Sequence, residues 1–166
     1  GLVPAGITSS PFGGAYVAIV GTPPYPAGTS KIVSISPDGA VSDVWAGLTA
    51  AVDVAVGLDG TLYALELGDP QLLVPPYLAS QSGRVVRQIG PDAFALVARS
   101  LGAPSALEIG GDGGIYVSLS AVDLSNQPGS IIRIDPALEV AVTIPVGPWQ
   151  EPTCEGEDDS LSGTPT

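Results

Sequence analysis

Histidine and methionine are absent from this 166-residue chain, cysteine occurs once, and lysine and arginine together number five. The lack of His removes the commonest general base and metal ligand, and with it the usual Ser and Cys triads. A single Cys rules out an internal disulfide. Five scattered cations against 17 acids, for a net charge of −12, cannot clamp a phosphate backbone. Nucleic acid is therefore excluded as a partner, and an anionic membrane surface is disfavoured. No apolar run approaches the ~18 residues of a membrane span. No GxSxG, Gly-rich phosphate loop or HExxH motif occurs. Without Met, Gly1 does not read as a translational start, so the chain is expected to be a processed product or a piece of a longer one. The scarcity of Lys favours an exported protein, extracellular or at the cell surface, whose signal has been removed.

What the chain has in excess is Gly (22) and Pro (17), together close to a quarter of its residues, against a usual ~12%. That is too many breakers for a helical bundle. Yet 45% of the residues are hydrophobic and the mean hydropathy is +0.38, which argues against disorder. The composition reads as a turn-rich, all-β protein with a core of ordinary size.

The sequence repeats itself. Tyr16, Tyr63 and Tyr116 each sit in a short apolar strand after a Gly-rich turn: GGAYVAIVG, DGTLYALELG and DGGIYVSLS. A second strand recurs as SKIVSIS (30–36), GRVVRQI (83–89) and GSIIRID (129–135), each leading into a Pro-containing turn. A third follows as AVSDVWAGL (40–48), AFALVARSL (93–101) and LEVAVTIPV (138–146). Before each Tyr strand lies another, around VPAGIT (3–8), AVDVAVG (51–57) and PSALEIG (104–110). Four strands in one order, three times over at periods of about 40–50 residues, point to a β-propeller of four-stranded antiparallel blades. The blades fall at about 2–48, 49–102 and 103–147. Near-continuous apolar strands such as Ala15–Val20 fit sheets covered on both faces. Asp38-Gly39, Asp59-Gly60 and Asp112-Gly113 supply hairpin turns, since Gly tolerates positive φ.

These units resemble the NHL and gluconolactonase-like propellers, and most of all the ScyD/ScyE-type bacterial propellers. The matching stretches are Val52 to Tyr63 with Gly83 to Arg87, and Pro104 to Tyr116 with Gly129 to Ile134. The first unit departs, with SSPFGG in place of the Asp-Gly turn. Within gluconolactonase-like propellers the resemblance implies a divalent ion at the mouth, held by a Glu, an Asn and an Asp from different blades. Asp53 and Glu108, both on expected innermost strands, are the weak metal candidates here, with calcium the ion considered. Unit alignment sets Asp53 opposite Ala106 and Glu108 opposite Ala55, offset along the channel, and the one Asn, Asn126, falls on a rim loop. The bland reading is that both acids line a solvated channel. On this basis no cofactor and no catalytic residue is assigned, and the chain is expected not to be an enzyme. A metal-dependent lactonase is the enzymatic alternative, and a small-ligand or glycan-binding module a further one.

Three blades cannot close a ring, so an apolar face is left bare at each end. The expected partners are copies of the chain itself, closing a ring or propagating head to tail as a filament, or the missing blades of a longer chain. The expected function is that of an extracellular structural protein acting through self-association. The loops at 21–30, 68–83 and 121–129 occupy corresponding points of the blades. Tyr25 and Tyr77 each follow a Pro-Pro pair there and mark a candidate interaction rim. Glu66 is expected to brace a turn or pair with an Arg, with Arg87 and Arg133 at matching places in two blades. The segment 148–166 reads as an acidic extended tail that docks on its own blades or on a neighbour. Its Cys154, among acids that suppress thiol reactivity, is a candidate for an intermolecular disulfide.

Overall fold

The computed structural model describes residues 1–71, 73–119, 129–136 and 140–144. Twelve strands, with no helix among the described residues, form three four-stranded antiparallel sheets. The first holds β1 (Leu2–Ser9), β2 (Ala15–Gly21), β3 (Ser30–Ile35) and β4 (Val41–Leu48). In the second are β5 (Ala51–Val56), β6 (Leu62–Glu66), β7 (Gly83–Gly90) and β8 (Ala93–Leu101). The third holds β9 (Pro104–Ile109), β10 (Ile115–Leu119), β11 (Ser130–Asp135) and β12 (Val140–Ile144). Within each sheet the spatial order is the chain order. The all-β reading therefore holds, and so does the four-stranded meander. The sheets do not close on one another into a ring.

The turns explain the meanders. The Gly57–Thr61 and Gly110–Gly114 turns share two hydrogen bonds. The first residue's N–H donates to the fifth residue's carbonyl, and the fourth's N–H to the first's carbonyl, at 2.8–2.9 Å. Gly60 and Gly113 stand at φ +84° and +76° there, a region that costs Gly nothing. The departing unit makes the same pair of bonds without an Asp-Gly: Ser10 N–H donates to the Gly14 carbonyl and Gly13 N–H to the Ser10 carbonyl, both at 3.1 Å. Ser10 Oγ accepts the Phe12 N–H at 3.2 Å.

Two apolar layers glue the sheets. Between the first and second lie Ala18, Ile32, Trp45 and Leu48 against Val54, Leu62, Ala64 and Val86. Between the second and third lie Tyr63, Leu65 and Val85 against Leu107, Ile115, Val117 and Ile132. Both contacts are built alike. Each sheet has a face carrying its repeat tyrosine and an aliphatic face, and the tyrosine face of one sheet meets the aliphatic face of the next. The middle sheet's first strand, β5, packs against both β1 and β9, so the three first strands gather on one side. No helix among the described residues is long and apolar enough to cross a membrane.

Candidate functional site

The first strands bring the two candidate acids to one cleft. It is about 320 Å³ in volume, lined by Asp53 and Glu108 with Ile7, Tyr116, Ser118 and Ile131 among others. Asp53 does not simply point into it. One carboxylate oxygen accepts the Leu107 N–H of β9 at 2.7 Å and the other accepts the Val54 N–H at 2.9 Å. The side chain thus ties the second sheet to the third. Burial pushes its pKa above the usual carboxylate value, the two backbone N–H groups pull it down, and the Glu108 charge adds a smaller push upward. Gly6 of β1 presses against the same residue: a Cβ there would come within 2.6 Å of the Asp53 Cα. Neither the tie nor the close approach was visible in the sequence, where Gly6 and Asp53 are 47 residues apart; the packing of one sheet on the next sets them side by side.

Glu108 is exposed and lies directly across from Tyr116, which pairs with Arg133 on the far side. Among the described residues no group of three or more His, Cys, Asp or Glu is arranged to hold a metal. Asn126 and Cys154 lie outside the described residues, as does the segment 145–166.

The remaining charged candidates make structural pairs. Glu66 is fully buried at the junction of the first two sheets. It accepts the Thr49 N–H at 2.6 Å and pairs with Arg84. Its cation is Arg84 and not Arg87, because Arg84 stands directly across the ladder from Glu66 whereas Arg87 stands across from Tyr63. Arg84 also lies 5.2 Å from the centroid of the Phe94 ring. Thr49 in turn accepts the Gly28 N–H through its hydroxyl at 3.0 Å, anchoring the β2–β3 loop. Arg133 pairs with Asp112 of its own sheet at 2.8 Å. Asp112 and Asp59 accept backbone N–H groups two residues on, from Gly114 and Thr61, and Asp38 accepts from the Ser36 hydroxyl. These bonds hold all three carboxyls below the ordinary Asp value.

The rim tyrosines are brought together. Thr22-Pro-Pro-Tyr25 and Val74-Pro-Pro-Tyr77 form the same turn, each with a cis Pro-Pro bond and each closed by the Tyr N–H on the carbonyl three residues back, at 3.0 Å. The two rings meet edge to face, centroids 6.4 Å apart. Beside them runs a groove of about 260 Å³ lined by Pro24, Pro26, Pro70 and Leu73.

No family model matches the sequence, and no curated protein does. A solved structure of a luciferin-regenerating enzyme shares the fold, with a TM-score of 0.59 and 16% identity. The match covers 86% of this chain and 46% of that one, so the chain spans about half of its length. At that identity the likeness is one of fold alone. It corrects two expectations. The assignment to the ScyD/ScyE-type and NHL propellers does not stand: no model of any such family matches, and the fold found belongs to a differently named protein. The motif that carried it is local to each four-stranded meander and does not fix a family. The expectation of a non-enzyme falls too, since the fold is that of a protein named as an enzyme. Absence of His excludes mechanisms that need His, and no more than that.

Proposed function

We propose that the three sheets are consecutive blades of a propeller-type ring, and that the chain acts as a scaffold by associating through its two end faces. One observation carries this. Ile7, Val54 and Leu107 occupy the same place in the three sheets, each paired with the residue that follows the repeat tyrosine. Val54 and Leu107, which have a preceding sheet against them, are 1% and 4% exposed; Ile7, which has none, is 66% exposed. The opposite faces repeat the pattern. Ile32 and Val85 are 0% exposed under the following sheet, and their counterpart Ile131 is 37% exposed. Although Val17 and Val33 on the same face as Ile7 are 6% exposed, Ile7 and Ile131 are open where no sheet lies against them. Covering them contributes about 25 cal/mol per Å² of apolar surface, opposed by the entropy of association. The half-length match to the luciferin-regenerating enzyme favours the same reading, because that fold continues for about as much again. An exported, cell-surface location goes with it, favoured by the single Lys and the net charge of −12. Hydroxyl-radical footprinting over a range of protein concentrations tests the proposal. Ile7 and Ile131 are expected to become protected together as concentration rises; unchanged labelling of both would refute it.

A second reading, that of a metal-dependent hydrolase, is favoured by the convergence of Asp53 and Glu108 on one cleft. A lactone panel with calcium or zinc tests it. Metal-dependent turnover lost in Glu108→Gln supports this reading, and no turnover with either ion counts against it.

A further inference from the structure

We infer that Tyr25 and Tyr77 form a modification site, at which one-electron oxidation joins the two rings into a dityrosine that staples the β2–β3 loop to the β6–β7 loop. This does not depend on what covers the end faces. Three observations carry it. First, the two rings are the one aromatic pair in contact among the described residues, with centroids 6.4 Å apart and planes at 83°. Both residues are partly exposed, within reach of a dissolved oxidant. Second, the backbone holds both rings in place at a cost. Tyr25 and Tyr77 stand at φ +58° and +64°, a region where a bulky side chain is strained and Gly is not. Two loops of different sheets accept that cost for the same residue, so the ring is what both turns present. The loops are anchored beneath their rings: Gly28 N–H donates to the Thr49 hydroxyl at 3.0 Å, and Ala79 N–H to the Asp69 carbonyl at 2.9 Å. Third, the chain has few competing reductants. Met is absent and Cys occurs once, and these are the side chains that commonly take up oxidising equivalents. Trp45 and Tyr63 are buried, at 1% and 8% exposure. The oxidant required is of the peroxide-driven haem-peroxidase class. Each phenol gives it one electron and one proton. The two phenoxyl radicals then couple through one new C–C bond between ring carbons ortho to the oxygens. The ring hydrogens at that bond move to the oxygens and restore both phenols. In sum one hydrogen peroxide becomes two waters, and the chain loses two hydrogen atoms.

The experiment treats the full chain, dilute and in a Cys154→Ser background, with a haem peroxidase and limiting hydrogen peroxide. Dityrosine is read by its blue fluorescence and located by mass spectrometry after trypsin. Cleavage after Lys31 and Arg84 puts Tyr25 and Tyr77 in different peptides, 1–31 and 32–84. The expected product is these two peptides joined, lighter than their sum by two hydrogen atoms, with fragmentation placing the bond on Tyr25 and Tyr77. The emission is expected to fall to background in Tyr25→Phe and in Tyr77→Phe, which keep both rings, and to persist in Tyr16→Phe. Oxidised wild type should also melt at a higher temperature than untreated protein, because the new bond ties two sheets together, and oxidised Tyr25→Phe should not. Emission that survives in either loop variant overturns the inference, as does a bond that maps to other tyrosines or forms only between chains on a denaturing gel. A melting temperature unchanged by a correctly placed bond overturns the staple. Should a Phe variant fail to fold, by circular dichroism, the peptide map of wild type alone decides: a Tyr25–Tyr77 bond supports the inference and its absence refutes it.

Discussion

Gly6 and Asp53 touch backbone to side chain across the first two sheets, leaving no room for a methyl group: a Cβ on Gly6 would lie 2.6 Å from both Cα and Cγ of Asp53. The first strands of adjacent sheets approach this closely only because one of them lacks a side chain. Gly6→Ala is therefore expected to destabilise the fold by about 1–3 kcal/mol, the usual cost of overpacking. Urea unfolding followed by Trp fluorescence measures it. A change within error of zero would show that β1 and β5 separate freely.

Asp53 joins the second and third sheets through the Leu107 N–H. Asp53→Ala orphans that donor and should cost about 1–3 kcal/mol. Asp53→Asn keeps an acceptor and should cost less. The pH dependence carries a sign. Burial raises the folded-state pKa above the unfolded value near 3.8. The folded state then holds its proton longer, and the stability that the proton contributes is full below the unfolded pKa and lost as pH rises through the folded one. Stability of wild type relative to Asp53→Asn should fall as pH rises above about 3.8. Paired denaturation curves at pH 3 to 7 check this, and a difference that grows with pH would contradict it.

Glu66 is fully buried, whereas Arg84 is 26% exposed and rests on Phe94. Removing the partner of the buried member is the harsher change. Arg84→Ala leaves a carboxylate in the interior and should cost about 3–5 kcal/mol. Glu66→Gln retains an acceptor for the Thr49 N–H and should cost less than half of that. Chemical denaturation of the two variants gives the order, and equal costs would show that the site admits water.

The turn carboxylates set the acid limit. Asp59 and Asp112 are held low by backbone N–H groups, so their contribution is present above the unfolded pKa and lost as pH falls through the folded one. Asp112→Asn should lower the melting temperature at neutral pH and flatten its decline in acid. An unchanged acid limb would place the sensitivity elsewhere.

Much of the fold was legible because its signals are local. A tyrosine strand after a Gly turn, and a Gly-led strand after it, fix antiparallel neighbours within a few tens of residues. Ser10 was harder, since its turn makes the Asp-Gly bonds with different residues. The sequence placed Asp53 and Glu108 on first strands but offset along the channel, and did not bring them to one cleft. Nor was their engagement legible: whether a carboxylate faces open space or the N–H of the next sheet depends on inter-sheet spacing, which no strand motif encodes. For the same reason Arg84 was overlooked in favour of Arg87. Arg84 aligns with Lys31 and Ser130 in the other units, and its value lies in the buried Glu66 across the ladder. The rim tyrosines were found as a repeated Pro-Pro-Tyr, and their ring contact is a consequence of two sheets standing side by side.

The association proposed above has Ile7 and Ile131 exposed because the sheets that cover them lie outside this chain's three. The most direct measurement is the mass of the wild-type chain in solution by sedimentation equilibrium across a wide dilution range. A concentration-dependent shift from the 16.6 kDa chain mass to a multiple of it is the predicted result. A single species at the chain mass at every concentration would contradict the account.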